Sequence, residues 1–314
     1  MKRPTNTIYI NVLKVITAVI FVLISADLLF AMECIQSDIV GSIAPAGVDQ
    51  PSDLAIGPQG LIYLVDGVNN RIVVTDADGT LQFTFGRSGG GAGELQHPMG
   101  IDISKKGQVF IADTGNHRIQ VFDPKGGFLY MFPVKTAPGE KPAAPVDVLA
   151  LDRKSYLYVS DKENHKIKVH KQKGAFVFEW GGFGEVRGRF RYPGILAADQ
   201  YNRVFVVDVL NTRIQEFDPD GNFITEISTW GVSPGELFRP KGVAVDKTDR
   251  VFITDSFMRC IQVFTDVGGF LGVVCADGIK RNFTTPVGLA FDAESRLFVV
   301  EMRANRIRIV KVAQ

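Results

Sequence analysis

The chain has 314 residues, 46% of them hydrophobic and 32 of them glycine, with a formal net charge of +1. That hydrophobic share excludes a disordered chain, and the glycines suit short strands joined by tight turns. So small a net charge provides no global field to attract nucleic acid.

Residues 1–31 stand apart from the rest of the chain. Lys2, Arg3 and Lys14 make a basic start, residues 15–25 are apolar, and residues 28–32 extend the run past Asp27. This is the pattern of a secretory signal with cleavage after Ala31. The alternative is an uncleaved membrane anchor over residues 12–32, in which Asp27 would be costly. A lipoprotein reading through Cys34 is weaker, because Glu33 stands where a small residue is wanted. Losing residues 1–31 would bring the charge to about −1. The expected location is extracytoplasmic: periplasm, cell envelope or secreted.

From Pro51 onward the chain repeats. Pro51, Pro98, Pro145, Pro193, Pro240 and Pro286 recur every 46 to 48 residues. Each opens a short apolar strand, here strand a, with small residues such as Ala55, Gly100, Ala197 and Ala244 that suit a crowded inner position. Strands b and c come next as a hairpin. Residues 108–123, QVFIADTGNHRIQVFD, show its form, with near-copies at 61–76, 156–171, 203–218, 250–265 and 296–311. Two apolar runs flanking a Gly/Asn-rich turn read as β-strands. Turns such as Asp123-Pro124-Lys125-Gly126 then reverse the chain into strand d. Four antiparallel strands in about 45 residues match one propeller blade, so the fold expected over residues 35–314 is an all-β, six-bladed β-propeller. The last repeat ends after its strand c, while residues 35–43 read as a strand d without a blade. That segment is expected to pair with the last strand c and close the ring.

Cys34, Cys260 and Cys275 are the cysteines. If Thr265 pairs with Phe270 around the turn 266–269, Cys260 faces Cys275, and a cross-strand disulfide is a candidate. Two buried thiols are the alternative, since one bulge would break that register.

The turn Asp113-Thr114-Gly115-Asn116-His117-Arg118-Ile119 resembles the signature of NHL repeats. So do the linkers Gly93-Glu94-Leu95-Gln96-His97-Pro98 and Gly235-Glu236-Leu237-Phe238-Arg239-Pro240. The resemblance covers residues 51–314 and implies the propeller fold. It leaves function open, because such proteins include scaffolds, extracellular sensors, RNA-binding modules and a few lyases.

Two charged series recur. Asp66, Asp113, Asp161, Asp208, Asp255 and Glu301 end strand b; Arg71, Arg118, Lys166, Arg213 and Arg306 begin strand c. Six near-copies are too many for one active site, so these read as structural turns. Blade five departs, with Met258 for the recurring Asn and Cys260 for the cation. NHL-type peptidyl-hydroxyglycine lyases carry His right after the blade-opening proline in several blades. Here that position holds Ser52, Met99, Val146, Gly194, Lys241 and Val287, which argues against a zinc lyase. No catalytic residue, metal or cofactor is therefore assigned. The linker 184–192, GEVRGRFRY, is the most basic patch, with Phe190 expected to plug a blade junction as Leu95 and Leu237 would.

Linkers from d to a and turns from b to c should emerge on one side of the disc. Arg87, His117, His165, Arg187, Arg189, Arg191, Trp230 and Arg259 are expected there as a partner-binding surface. The reading is an exported, non-catalytic binding or assembly module for a protein or anionic envelope ligand. A lyase- or lactonase-like enzyme at the central channel is the alternative. It would need three or four acidic, Asn or His side chains converging at the channel mouth. A nucleic-acid-binding module is the second alternative, and membrane contact would run only through the N-terminal segment.

Overall fold

The computed structural model describes residues 33–313 apart from 152, 277, 281 and 282. The leader read in residues 1–31, and any anchor over 12–32, lie outside these. The described residues form six blades around an axis. Blade two shows the plan, with strands Pro98–Ile103, Val109–Asp113, Arg118–Phe122 and Phe128–Pro133 paired antiparallel in that order. The inner strands touch in a closed ring, from Leu54–Ile56 of blade one round to Pro286–Phe291 of blade six.

Strands b and c are buried on both faces in blades two and four, because each sheet is sandwiched between two others. Their β-branched and aromatic residues fill six separate apolar clusters, one per blade junction. Leu95, Phe190 and Leu237 are fully buried in three of these, so the linker residue does plug the junction. Burying such a side chain contributes about 1.5–3 kcal/mol.

The strand Cys34–Ile43 closes the ring. It pairs antiparallel with the last strand, Arg306–Val312, from Ser37 opposite Val312 to Ile43 opposite Ile307. This is the strand d that blade six lacks. The same strand also runs parallel to strand d of blade five, Phe270–Ala276, from Cys34 beside Val273 to Ser37 beside Ala276. Blades five and six thus become one eight-stranded sheet. The repeat pattern does not foreshadow this parallel pairing.

That extra neighbour overturns the expected Cys260–Cys275 disulfide. Cys275 is bonded to Cys34, with Cα atoms 5.6 Å apart. The antiparallel register on the other side puts Gln262 opposite Val273, after a bulge between Val263 and Phe264, so Cys260 still lies across from Cys275. Cys260 is buried in one apolar cluster with Met258, Val273 and Cys275, and Cys34 packs against it. Register alone leaves two cysteines facing each other; the unforeseen edge strand decides which pair is joined.

Candidate functional site: the loop face and the channel

The recurring acid–base turns are frame. Asp113 Oδ2 accepts bonds from Arg118 Nε at 2.7 Å, Asn116 Nδ2 at 2.9 Å and Gln120 Nε2 at 3.0 Å, while Oδ1 accepts the Gln96 N–H at 2.7 Å. Asp208 repeats this with Arg213, Asn211, Gln215 and the Arg191 N–H. One buried carboxylate therefore ties a hairpin to the linker preceding it. Blade three varies the theme with Lys168 where blades two, four and five have Gln. Its Nζ is fully buried, 2.6 Å from Glu140 and 3.3 Å from Glu179. Burial works to raise the Glu140 pKa, but hydrogen bonds from Lys166 and Lys168 prevail and hold it at about 2.

Linkers and turns interlock on one side of the disc. Asn116 donates to Gly89 O, Arg213 to Val186 O, and Arg259 to Phe283 O. All eight residues expected on this side belong to its linkers or turns, Arg189 and Arg259 included. The structure brings only some of them together. Arg191 and Trp230 line one cleft of about 380 Å³ with Leu210, Asn211, Arg213 and Glu226, and Arg187 reaches its wall at Glu226, 3.5 Å away. Arg189 folds back instead and donates to Gly181 O. His165 packs on Phe183 with ring centroids 5.2 Å apart, and its Nδ1 accepts the Tyr192 N–H. Arg87 sits elsewhere, ion-paired to Glu94, and His117 meets Ala143 O at 2.6 Å.

Trp230 is 61% exposed and Phe183 69% exposed. Each occupies the same place in its linker, bridging the buried plug seven residues on: Phe183 to Phe190, Trp230 to Leu237. In the first linker Ser88 holds that place, bridged to Leu95. Exposed Leu210 projects from the turn of blade four. Sequence reasoning finds Trp230 but not Phe183; aligning the linkers on their plugs brings out both.

The channel holds a second arrangement that sequence reasoning misses. Asp53 of blade one and Asp147 of blade three are both buried and face the same channel cavity. Asp53 Oδ2 also accepts the Ile101 N–H at 3.1 Å, Asp147 Oδ2 the Leu196 N–H at 2.8 Å, and nearby Asp102 Oδ2 the Ala150 N–H at 2.7 Å. Each acid thus ties its inner strand to the next blade. Burial raises the Asp53 pKa to about 7; burial and then the Asp53 charge push Asp147 well above the carboxylate range. Burial and mutual repulsion therefore both favour the protonated forms of these acids. Gly288 and Gly100 make room, since a Cβ there would sit 2.4 Å from Asp53 Oδ1 and 2.3 Å from Asp147 Oδ1. The three acids line a cavity of about 230 Å³ whose other walls are mainly aliphatic, with Phe291. The sequence carries a signal for it: the second residue after the opening proline is Asp in blades one and three, but Gly in two, five and six.

Comparison with known proteins agrees with this geometry. A family model described as NHL repeat matches residues 95–122, and one described as a 6-bladed beta-propeller matches residues 195–272. No curated protein matches the sequence. Among solved structures, a catalytically inactive virginiamycin B lyase from Staphylococcus aureus, crystallised with quinupristin, is 18% identical. It has a TM-score of 0.63 over 87% of each chain. A streptogramin B lyase is 14% identical with a TM-score of 0.62, over 87% of this chain and 97% of its own. A gluconolactonase from Xanthomonas campestris is 14% identical with a TM-score of 0.66, over 90% of this chain and 96% of its own. Likeness at that level shows the fold alone. With that fold and the repeat match in hand, the chain is a six-bladed β-propeller that carries an NHL repeat at residues 95–122.

Proposed function

We propose that the protein is an exported, non-catalytic binding module that holds a protein or other envelope ligand on its loop face, over blades three to five. The observation that carries this is the cleft beside Trp230, where large apolar side chains stand in water among polar groups on a rigid frame. Aromatic and arginine side chains around a concavity are the usual anchors of recognition. The Cys34–Cys275 bond supports an oxidising compartment, in keeping with the basic-then-apolar leader. Nucleic acid fits poorly, because a formal net charge of +1 provides no broad basic field. The test is a pull-down from envelope extract with the wild type, Trp230→Ala and Arg191→Ala. Both variants should lose partners that the wild type retains; an unchanged partner list rejects the site.

The second reading is an enzyme acting in the channel. The three acids Asp53, Asp102 and Asp147 lining the channel cavity favour it, as do the lyases and lactonase among the similar folds. Against it, the acids already accept backbone bonds and the surrounding wall is mainly apolar. Turnover of a lactone by wild type but not by Asp147→Asn would move the function into the channel.

A further inference from the structure

The loop face carries a more specific message, which rests on the binding-module reading above. Phe183 and Trp230 hold equivalent positions in successive linkers, so two exposed rings stand one blade apart, with exposed Leu210 on the turn of the blade between them. The linker backbone is committed inward. Phe190 N–H donates to Gly182 O, Gly184 N–H to Phe190 O, Leu237 N–H to Thr229 O and Gly231 N–H to Leu237 O. An extended peptide adding itself as a strand would find those donors taken. Recognition there must come from side chains.

The available side chains are of two kinds. The rings offer flat faces at the surface. The ion pairs are surface pairs: Arg191 meets Glu185 at 2.9 Å with their side chains 39% and 76% exposed, and Arg187 meets Glu226 at 3.5 Å. Such pairs are weak in water, so an incoming carboxylate displaces Glu185 from Arg191 at little cost. Arg191 lines the cleft, and its guanidinium presents a fork suited to a carboxylate.

We infer that this face takes an acidic saccharide chain, with sugar rings stacked on Trp230 and Phe183 and a ring carboxylate held by Arg191. A sugar ring has one apolar C–H face and a polar edge, which matches an exposed aromatic ring beside a polar cleft; Phe183 keeps 69% exposure with His165 and Arg191 packed on it. Two platforms one blade apart suit a polymer better than a single ring.

The test is calorimetric titration of the purified chain with a short oligogalacturonate and, separately, a neutral cello-oligosaccharide of equal length. The acidic oligomer should bind, more weakly as salt rises. Trp230→Ala, Phe183→Ala and Arg191→Ala should each weaken it by about tenfold or more. Equal binding of the neutral oligomer, no binding of either, or affinity untouched by both aromatic variants would overturn the assignment. If neither oligomer binds but Trp230→Ala still empties the pull-down, the saccharide assignment fails and the binding face stands. If both experiments are blank, both fail.

Discussion

Inside the blades, Arg118 and Arg213 lie almost buried against Asp113 and Asp208; on the loop face, Arg191 and Arg187 meet Glu185 and Glu226 in water. The chemistry is the same and the consequence is not. A buried pair whose remaining lone pairs and N–H groups are filled by linker backbone cannot rearrange without leaving a charge in the interior. A surface pair exchanges its partner readily. The frame keeps its polar groups; the face lends them.

The sharpest way to break that contrast is to remove the strand that completes the frame. Deleting residues 34–43 should cost roughly 5 kcal/mol or more, or prevent cooperative unfolding altogether, since it unpairs the edges of blades five and six together. A melting temperature unchanged in calorimetry would show that the ring does not depend on this closure. Next, Asp113→Ala should cost about 3–5 kcal/mol in denaturant titration, because Arg118 is left without its counter-charge. A loss no larger than that of a surface pair would erase the distinction.

The channel acids give a prediction with a sign. The folded pKa of Asp53 is raised to about 7, so its contribution to stability is full below about pH 4 and is lost as pH rises through 7. Glu216, also raised to about 7 by burial, acts in the same direction. Wild-type stability should therefore fall between about pH 4 and 7. Asp53→Asn should flatten that fall by up to about 1.4 kcal/mol per pH unit. Identical slopes would mean that the pair carries no extra proton. Smallest of all, Arg191→Ala and Trp230→Ala should shift stability by less than about 1 kcal/mol. A large loss from either would assign it to the frame and not to the binding face.

Much of the frame is legible in the residues. The proline spacing sets six blades, and the unfinished last repeat, with residues 35–43 left over, implies the closure. The burial of Leu95, Phe190 and Leu237 follows from their place before each proline. The hidden part comes from contacts between blades, which no single repeat encodes. Asp53 and Asp147 depart from the Gly that holds their repeat position in three other blades, but only the ring brings them to one cavity across blade two. The Cys34 partner depends on a strand running parallel to a neighbouring blade, where register within one hairpin is silent. On the loop face, proximity of charges in the linker 184–192 suggests one basic patch. The fold sends Arg187, Arg189 and Arg191 to three different partners.

The bond between Cys34 and Cys275 spans 241 residues. The strand that holds Cys34 is synthesised long before either of its partner strands and must wait, unpaired, until they are available. Five blades can condense while their sixth remains an open edge, so the nascent molecule carries a sticky flank for most of its assembly. A chain secreted unfolded would be released from that hazard, because both ends become available to each other only after translocation is complete.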